Sequence, residues 1–157
     1  TSVEIPFNVE NINASAFFGC SSLKSFNVDP DNKKYTSEGG VLYNKNKTEI
    51  VRVPESLEGK FVIPSTVTSI GEMAFEKCKN LTEIVIPSSV IEIKGEAFLE
   101  CSGLKKIVIP CSVMSVGYYA FKGCDNALVV VDNSDKSDKS DIFNSISEDC
   151  KNVSYSK

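Results

Sequence analysis

A 23-residue period constrains this chain more than any other feature. Ile-Pro occurs at Ile63-Pro64, Ile86-Pro87 and Ile109-Pro110. The same interval relates Ala74-Phe75, Ala97-Phe98 and Ala120-Phe121, as it does Cys78, Cys101 and Cys124, and Val67, Val90 and Val113. A unit this short cannot bury an apolar face by itself. Units of fixed length that stack share one continuous core, so a constant period in the twenties specifies a solenoid.

Within one unit, Leu81-x-x-Ile84-x-Ile86 sets three apolar residues inward, with strand alternation at the last pair. Pro87 lacks the N–H that a further rung would need and pre-sets a turn, which Ser88 and Ser89 continue. Val90 and Ile93 make a shorter inward pair on a second side, matched by Val67 and Ile70 and by Val113 and Val116. The segment Glu96 to Cys101 is long enough for about one turn of helix, with Ala97 allowing close approach and Phe98 filling the coil. A fourth copy opens the chain, where Ile5-Pro6, Val9, Ile12, Ala16-Phe17, Cys20, Leu23, Phe26 and Val28 match position for position.

The register breaks once. Between Asp29 and Phe61, Val41-Leu42-Tyr43 and Ile50-Val51-Arg52-Val53 flank the polar stretch Asn44 to Glu49, which predicts a β-hairpin entered sharply at Gly39-Gly40. At the other end Ala127 to Asp132 supplies a last strand without its proline. A polar run and an amphipathic stretch with Ile142, Phe143 and Ile146 on one side follow, as expected of a cap on an open solenoid end. The organisation expected is one repeat domain, residues 1–157, divided into a first repeat (1–28), an irregular insertion with a β-hairpin (29–61), regular repeats (62–131) and a C-terminal cap (132–157). Five or six coils at roughly 4.8 Å each would stack to about 25–30 Å.

The repeated residues, with "GGVLYNKNKTEIVRVP" between them, resemble the BspA-like class of leucine-rich repeats of host-associated bacteria and some parasitic protists. The resemblance covers Val3 to about Val131. It departs at Cys111, where other units have Ser65 and Ser88, and at the missing last proline. It implies a leucine-rich-repeat solenoid, a right-handed β/α superhelix of short strands with one-turn helical segments. It also implies an extracellular or cell-surface protein that binds host or neighbouring-cell proteins or glycans in adhesion, with no catalytic residues and no cofactor. A structural spacer with no ligand of its own is the alternative. The chain opens in mid-unit at Thr1, an opening expected of a fragment or mature form whose signal peptide lies outside the sequence.

Composition narrows the function classes. The chain has no histidine, which removes Ser-His-Asp and Cys-His arrangements and any His-containing zinc site. It has no Cys-x-x-Cys pair and no phosphate-cradling glycine loop. The acid pairs Glu72/Glu76 and Glu96/Glu100 sit four residues apart, as such pairs do on many helix surfaces, and nothing in the sequence raises their pKa. A net charge of −4, with 17 scattered basic residues against 21 acidic ones, argues against nucleic acid. No apolar run reaches the roughly 18 residues of a membrane span, and a monomer is expected. The Asp132–Asp141 run has aspartates about every third residue, with Lys136 and Lys139 between, which does not fit a calcium loop.

The cysteines follow the period. Cys20, Cys78, Cys101 and Cys124 share one repeat position, which predicts an inward ladder of free thiols, since parallel side chains fit disulfide geometry poorly. Cys111 and Cys150 fall outside it and form the one pair worth testing for a bridge.

With Ile84 and Ile86 inward, Glu83 and Val85 point outward, as do Lys60 and Val62 one unit back and Lys106 and Val108 one unit on. The strands therefore present a valine row (Val62, Val85, Val108) beside a row of alternating charge (Lys60, Glu83, Lys106). Strand propensity and cross-strand pairing explain both rows without a ligand; an apolar strip rimmed by polar groups is also what a protein-binding surface looks like. Tyr43 and Arg52, in the insertion, complete the candidate partner-binding residues, because specificity tends to sit on irregular excursions from a regular scaffold.

Overall fold

The structure is a computed structural model describing residues 1–135, 138–150 and 152–156. Elements are numbered in chain order: β1 (Ser2–Ile5), β2 (Ser25–Val28), β3 (Tyr35–Glu38), β4 (Val41–Asn44), β5 (Glu49–Arg52), β6 (Gly59–Val62), β7 (Ser69–Ile70), β8 (Leu81–Val85), β9 (Glu92–Ile93), β10 (Lys106–Ile109), β11 (Ser115–Val116), β12 (Leu128–Val131), α1 (Ser140–Asp149) and β13 (Val153–Tyr155).

These elements wind into a β-solenoid. The proline-terminated strands stack in parallel as β6-β8-β10-β12-β13, with β1-β2 as a separate parallel pair. They provide seven rungs, more than the period predicts, because the half-unit β1 and the cap strand β13 each add one. The short second-side strands join a sheet of order β11-β9-β7-β5-β4-β3. Between the sheets lies the expected spine. Phe75, Phe98 and Phe121 have no exposed surface, and their rings stack with centroids 5.0 and 5.2 Å apart and planes inclined by 18° and 9°.

The third side departs from expectation. The segments around Phe75, Phe98 and Phe121 are turns, not helix. Met73, Lys77, Glu96, Glu100 and Tyr119 take left-handed φ values of 52–58°, which rotates their neighbours' peptide groups out of helical register. The amides point along the solenoid instead: Phe75 N–H donates to Ala97 O and Phe98 N–H to Ala120 O, each at 2.8 Å. A coil of this length satisfies its backbone through the next coil. Among the described residues only Ala14–Phe17, in the first coil, forms a 3-10 turn.

The insertion also differs from the loop excursion expected. Strands β4 and β5 form the predicted hairpin, and β3 extends it through a turn in which Gly39 and Gly40 both have positive φ, 58° and 80°. β5 then pairs in parallel with β7, Ile50 beside Ile70. The hairpin thus occupies a coil's place in the second sheet. It divides the core in two: one cluster runs from Val41 to Cys150, and a smaller one gathers Ile5, Leu23, Phe26 and Leu42.

In that smaller cluster the N-terminal copy does not pack as its sequence predicts. Cys20 is exposed, and Phe17 meets Phe26 edge-on at 4.8 Å instead of joining the phenylalanine stack. Among the described residues no coil lies on its N-terminal side to stack on these positions as the regular coils stack on one another.

At the opposite end α1 buries Ile142 and Ile146, and Phe143 stacks on Tyr155 at 4.6 Å. The cap continues the coil's own bonds. Asp149 Oδ2 accepts from Phe121 N–H at 3.2 Å, where a further coil would offer a carbonyl. Cys150 donates its thiol to Phe121 O at 3.1 Å, as Cys101 does to Phe75 O (2.9 Å) and Cys124 to Phe98 O (3.1 Å). Cys150 is therefore the fourth rung of the thiol ladder, in place of Cys20. Its sulfur is turned into that ladder and Cys111 is half-buried; all six cysteines are free. Burial pushes the Cys78 and Cys150 thiols up to about 12 and Cys101 well above its usual value, so none of these three is a nucleophile at neutral pH.

Candidate binding face

Strand alternation sets the outward rows as the sequence places them. Lys60 lies opposite Glu83 and Val62 opposite Val85, and Glu83 lies opposite Lys106. Val62, Val85 and Val108 expose 57%, 39% and 41% of their surface, although valines at inward positions such as Val67 and Val90 expose none. Lys60 Nζ is 2.7 Å from Glu83 Oε1 with both side chains about half exposed, a pair that contributes about 0.2–1 kcal/mol at most. The rows run further than the period indicates. Leu128 lies opposite Lys106 and Val130 opposite Val108, and Leu128 is 43% exposed. One residue fewer in that unit moves them off the 23-residue interval, which hides them from a search by spacing; the alternation through Leu128, Val129, Val130 and Val131 carries the signal.

Tyr43 and Arg52 do not belong to this face. Each is 2% exposed. Tyr43 points into the main core from β4, and burial, with Glu38 adding to it, pushes its hydroxyl pKa up. Arg52 forms a buried ion pair with Glu76 at 3.1 Å, reaches Glu55 at 3.6 Å and donates to Met73 O. An excursion from the scaffold would expose both, whereas a hairpin that stacks as a coil turns alternate residues inward. Arg52 joins the insertion to the first regular coil.

The acid pairs do not converge on a common site. Glu76 is spent on Arg52, Glu72 accepts from the Tyr118 hydroxyl at 3.0 Å, and Glu100 lies 3.8 Å from Lys79. In the aspartate run, Asp132 accepts from Ser134 N–H and Asp138 from Ser140 N–H, and these bonds hold both carboxyls below their usual range. Lys136, in the same run, lies outside the described residues. Among the described residues no three His, Cys, Asp or Glu side chains are grouped to hold a metal, and no helix is long and apolar enough to cross a membrane.

Between β8 and β10 the strand face holds a groove of about 580 Å³, lined by residues 82–86 of one coil and by Lys105, Lys106 and Val108 of the next.

The BspA type leucine rich repeat region, as a family model, matches residues 1–128 and 58–154 in six copies. The chain belongs to that family. Solved structures agree with the assignment. The BspA-type chain is 34% identical, with a TM-score of 0.77, to a leucine-rich repeat protein from Eubacterium ventriosum, over 83% of this chain and 35% of that one. It is 26% identical, with a TM-score of 0.67, to a leucine rich cell surface protein from Faecalibacterium prausnitzii, over 100% of this chain and 48% of that one. It shares its fold with the pneumococcal vaccine antigen PcpA at 21% identity and a TM-score of 0.68, over 83% and 38% of the two chains. The chain therefore spans between a third and a half of the length of these proteins. No match was found among curated proteins.

Proposed function

We propose that this chain is a non-enzymatic, cell-surface or extracellular binding module whose strand face engages a protein or glycan of a host or neighbouring cell. The observation that carries the reading is the outward valine row: three large apolar side chains in register, continued by Val130 and bordered by a charge row that ends at the exposed Leu128, on a face that none of the described residues covers. An apolar strip rimmed by polar groups supports protein recognition, and a solenoid gains affinity by repeating modest contacts over a long surface. The cell-surface description of the Faecalibacterium prausnitzii protein supports the location.

The test is the double substitution Val85→Asp/Val108→Asp, assayed for retention on immobilised matrix and serum proteins and on a glycan array. Both side chains face solvent, so the thermal melt should stay within a few degrees of the parent while retention is lost. Retention unchanged in the double variant defeats this reading and favours a spacer. Turnover in a panel of glycan and peptide hydrolase assays defeats the non-enzymatic part.

A further inference from the structure

The seam between β8 and β10 differs from the others in its sheet. β6 and β8 pair at four register positions, β10 and β12 at four, and β12 and β13 at three, but β8 and β10 pair only at Glu83↔Lys106. On the β6 side, Ile63 donates its N–H to Val85 O at 3.0 Å; one coil on, the equivalent bond from Ile86 to Val108 is absent among the described residues. Inward side chains are reached through the opening. Ile84 and Ile86 retain 5% and 8% of their surface, whereas Ile107 and Ile109 retain none. The groove on the strand face is this opening.

Its lining fixes the chemistry of an occupant. Ile84, Val85, Ile86 and Val108 offer an apolar interior, and Lys105 and Lys106 add two ammonium groups that form no ion pair among the described residues. Glu83 is the one acid in the lining, and Lys60 already holds it at 2.7 Å. The uncompensated charge is positive, in a chain whose net charge is negative. The lining residues lie along two parallel strands, and the Ile86 N–H makes no hydrogen bond among the described residues, so an extended main chain can supply an acceptor there.

We infer that the seam binds an extended peptide segment carrying an apolar side chain beside a carboxylate. The inference rests on the binding reading above and names the partner's chemistry. The apolar side chain enters between Val85 and Val108, the carboxylate meets Lys105 and Lys106, and the partner's backbone takes the Ile86 donor.

Three labelled hexapeptides test it by fluorescence polarisation: one alternating Asp and Leu, one alternating Lys and Leu, and one alternating Asp and Ser. The Asp/Leu peptide should bind saturably, and the other two about tenfold more weakly or worse. Lys105→Glu/Lys106→Glu should weaken the Asp/Leu peptide about tenfold. Met114→Asp, exposed on the second side of the coil and outside the strand face, should leave its affinity unchanged. Hydrogen exchange should find the Ile86 amide faster than that of Ile63, and slowed by the peptide. An Ile86 amide as protected as that of Ile63 overturns the open seam. Failure of the Asp/Leu peptide to bind, equal binding of all three peptides, or a Met114→Asp loss as large as that of the lysine pair overturns the assigned occupant. Each of these results leaves the Val85→Asp/Val108→Asp test of the whole face standing on its own.

Discussion

Phe98 and Phe17 occupy the same place in the repeat, each after an alanine and three residues before a cysteine, and their surroundings differ on both sides. Phe98 is stacked between Phe75 and Phe121, and Cys101 donates its thiol to the coil behind. Phe17 is half-buried against the edge of Phe26, and Cys20 faces solvent. Between the two stands the hairpin insertion, which splits the core and puts Val53 where a coil has its phenylalanine, its N–H donating to Ala74 O as that of Phe75 does to Ala97 O. Lys77, lying 3.8 Å over the Phe18 ring, and Ser56, bonded to Leu23 O, fasten the two parts across that junction. A repeat signature states which residues can be inside. A covering coil on each side is what puts them there.

That contrast is open to measurement. The largest effect should come from Phe98→Ala, which removes a fully enclosed ring and should cost about 3–5 kcal/mol in urea unfolding, against about 2 kcal/mol for Phe17→Ala, whose ring is only partly buried. Equal losses would mean that the N-terminal coil is as tightly packed as the interior ones. The junction should show a similar gap between buried and exposed charge. Arg52→Ala strands Glu76 in the core and should cost about 3–5 kcal/mol, whereas Lys60→Ala breaks an exposed pair and should cost less than about 1 kcal/mol. Thiol labelling with iodoacetamide sharpens the comparison without mutation. Cys20 should react quickly in the native protein and Cys111 more slowly, while Cys78, Cys101, Cys124 and Cys150 should react only on unfolding; fast labelling of Cys150 would remove it from the ladder.

The smallest effect concerns the cap. Burial raises the Asp149 pKa above its ordinary 3.8, partly offset by the Phe121 N–H. A carboxyl that holds its proton more tightly when folded contributes stability at low pH and loses it as pH rises above 3.8 through its native value. Asp149→Asn keeps an acceptor for Phe121 and cannot ionise, so melting curves from about pH 3 to about pH 7 should flatten in that window. A variant with the parent's slope there would assign the pH dependence to another group.

Much of this was legible in the sequence because the signals were local and repeated. Ile84 and Ile86 announce a strand's inward face, Pro87 its end, and the 23-residue interval its neighbour, so Lys60, Val62, Glu83, Val85, Lys106 and Val108 were placed outward correctly. The misplacements were positions whose fate depends on what stacks against them. Tyr43 and Arg52 read as surface residues because nothing in the order of letters shows that β5 pairs with β7. Glu96 to Cys101 read as helix because a run of good helix formers does not disclose a left-handed φ at Glu96 and Glu100. Cys150 read as a stray thiol because it arrives from a helix, off the period, at a rung the coils had left open.

By itself the sequence determined the coil: its length, its inward and outward faces, and the residues that fill it, since all of these follow from alternation, proline and a constant spacing. Which rungs are sealed, where the core divides, which charges are buried and where the sheet parts between β8 and β10 were decided only by the tertiary structure. The physical reason is that burial and pairing belong to a residue together with its neighbours in space, and in a solenoid those neighbours come from the coils before and after.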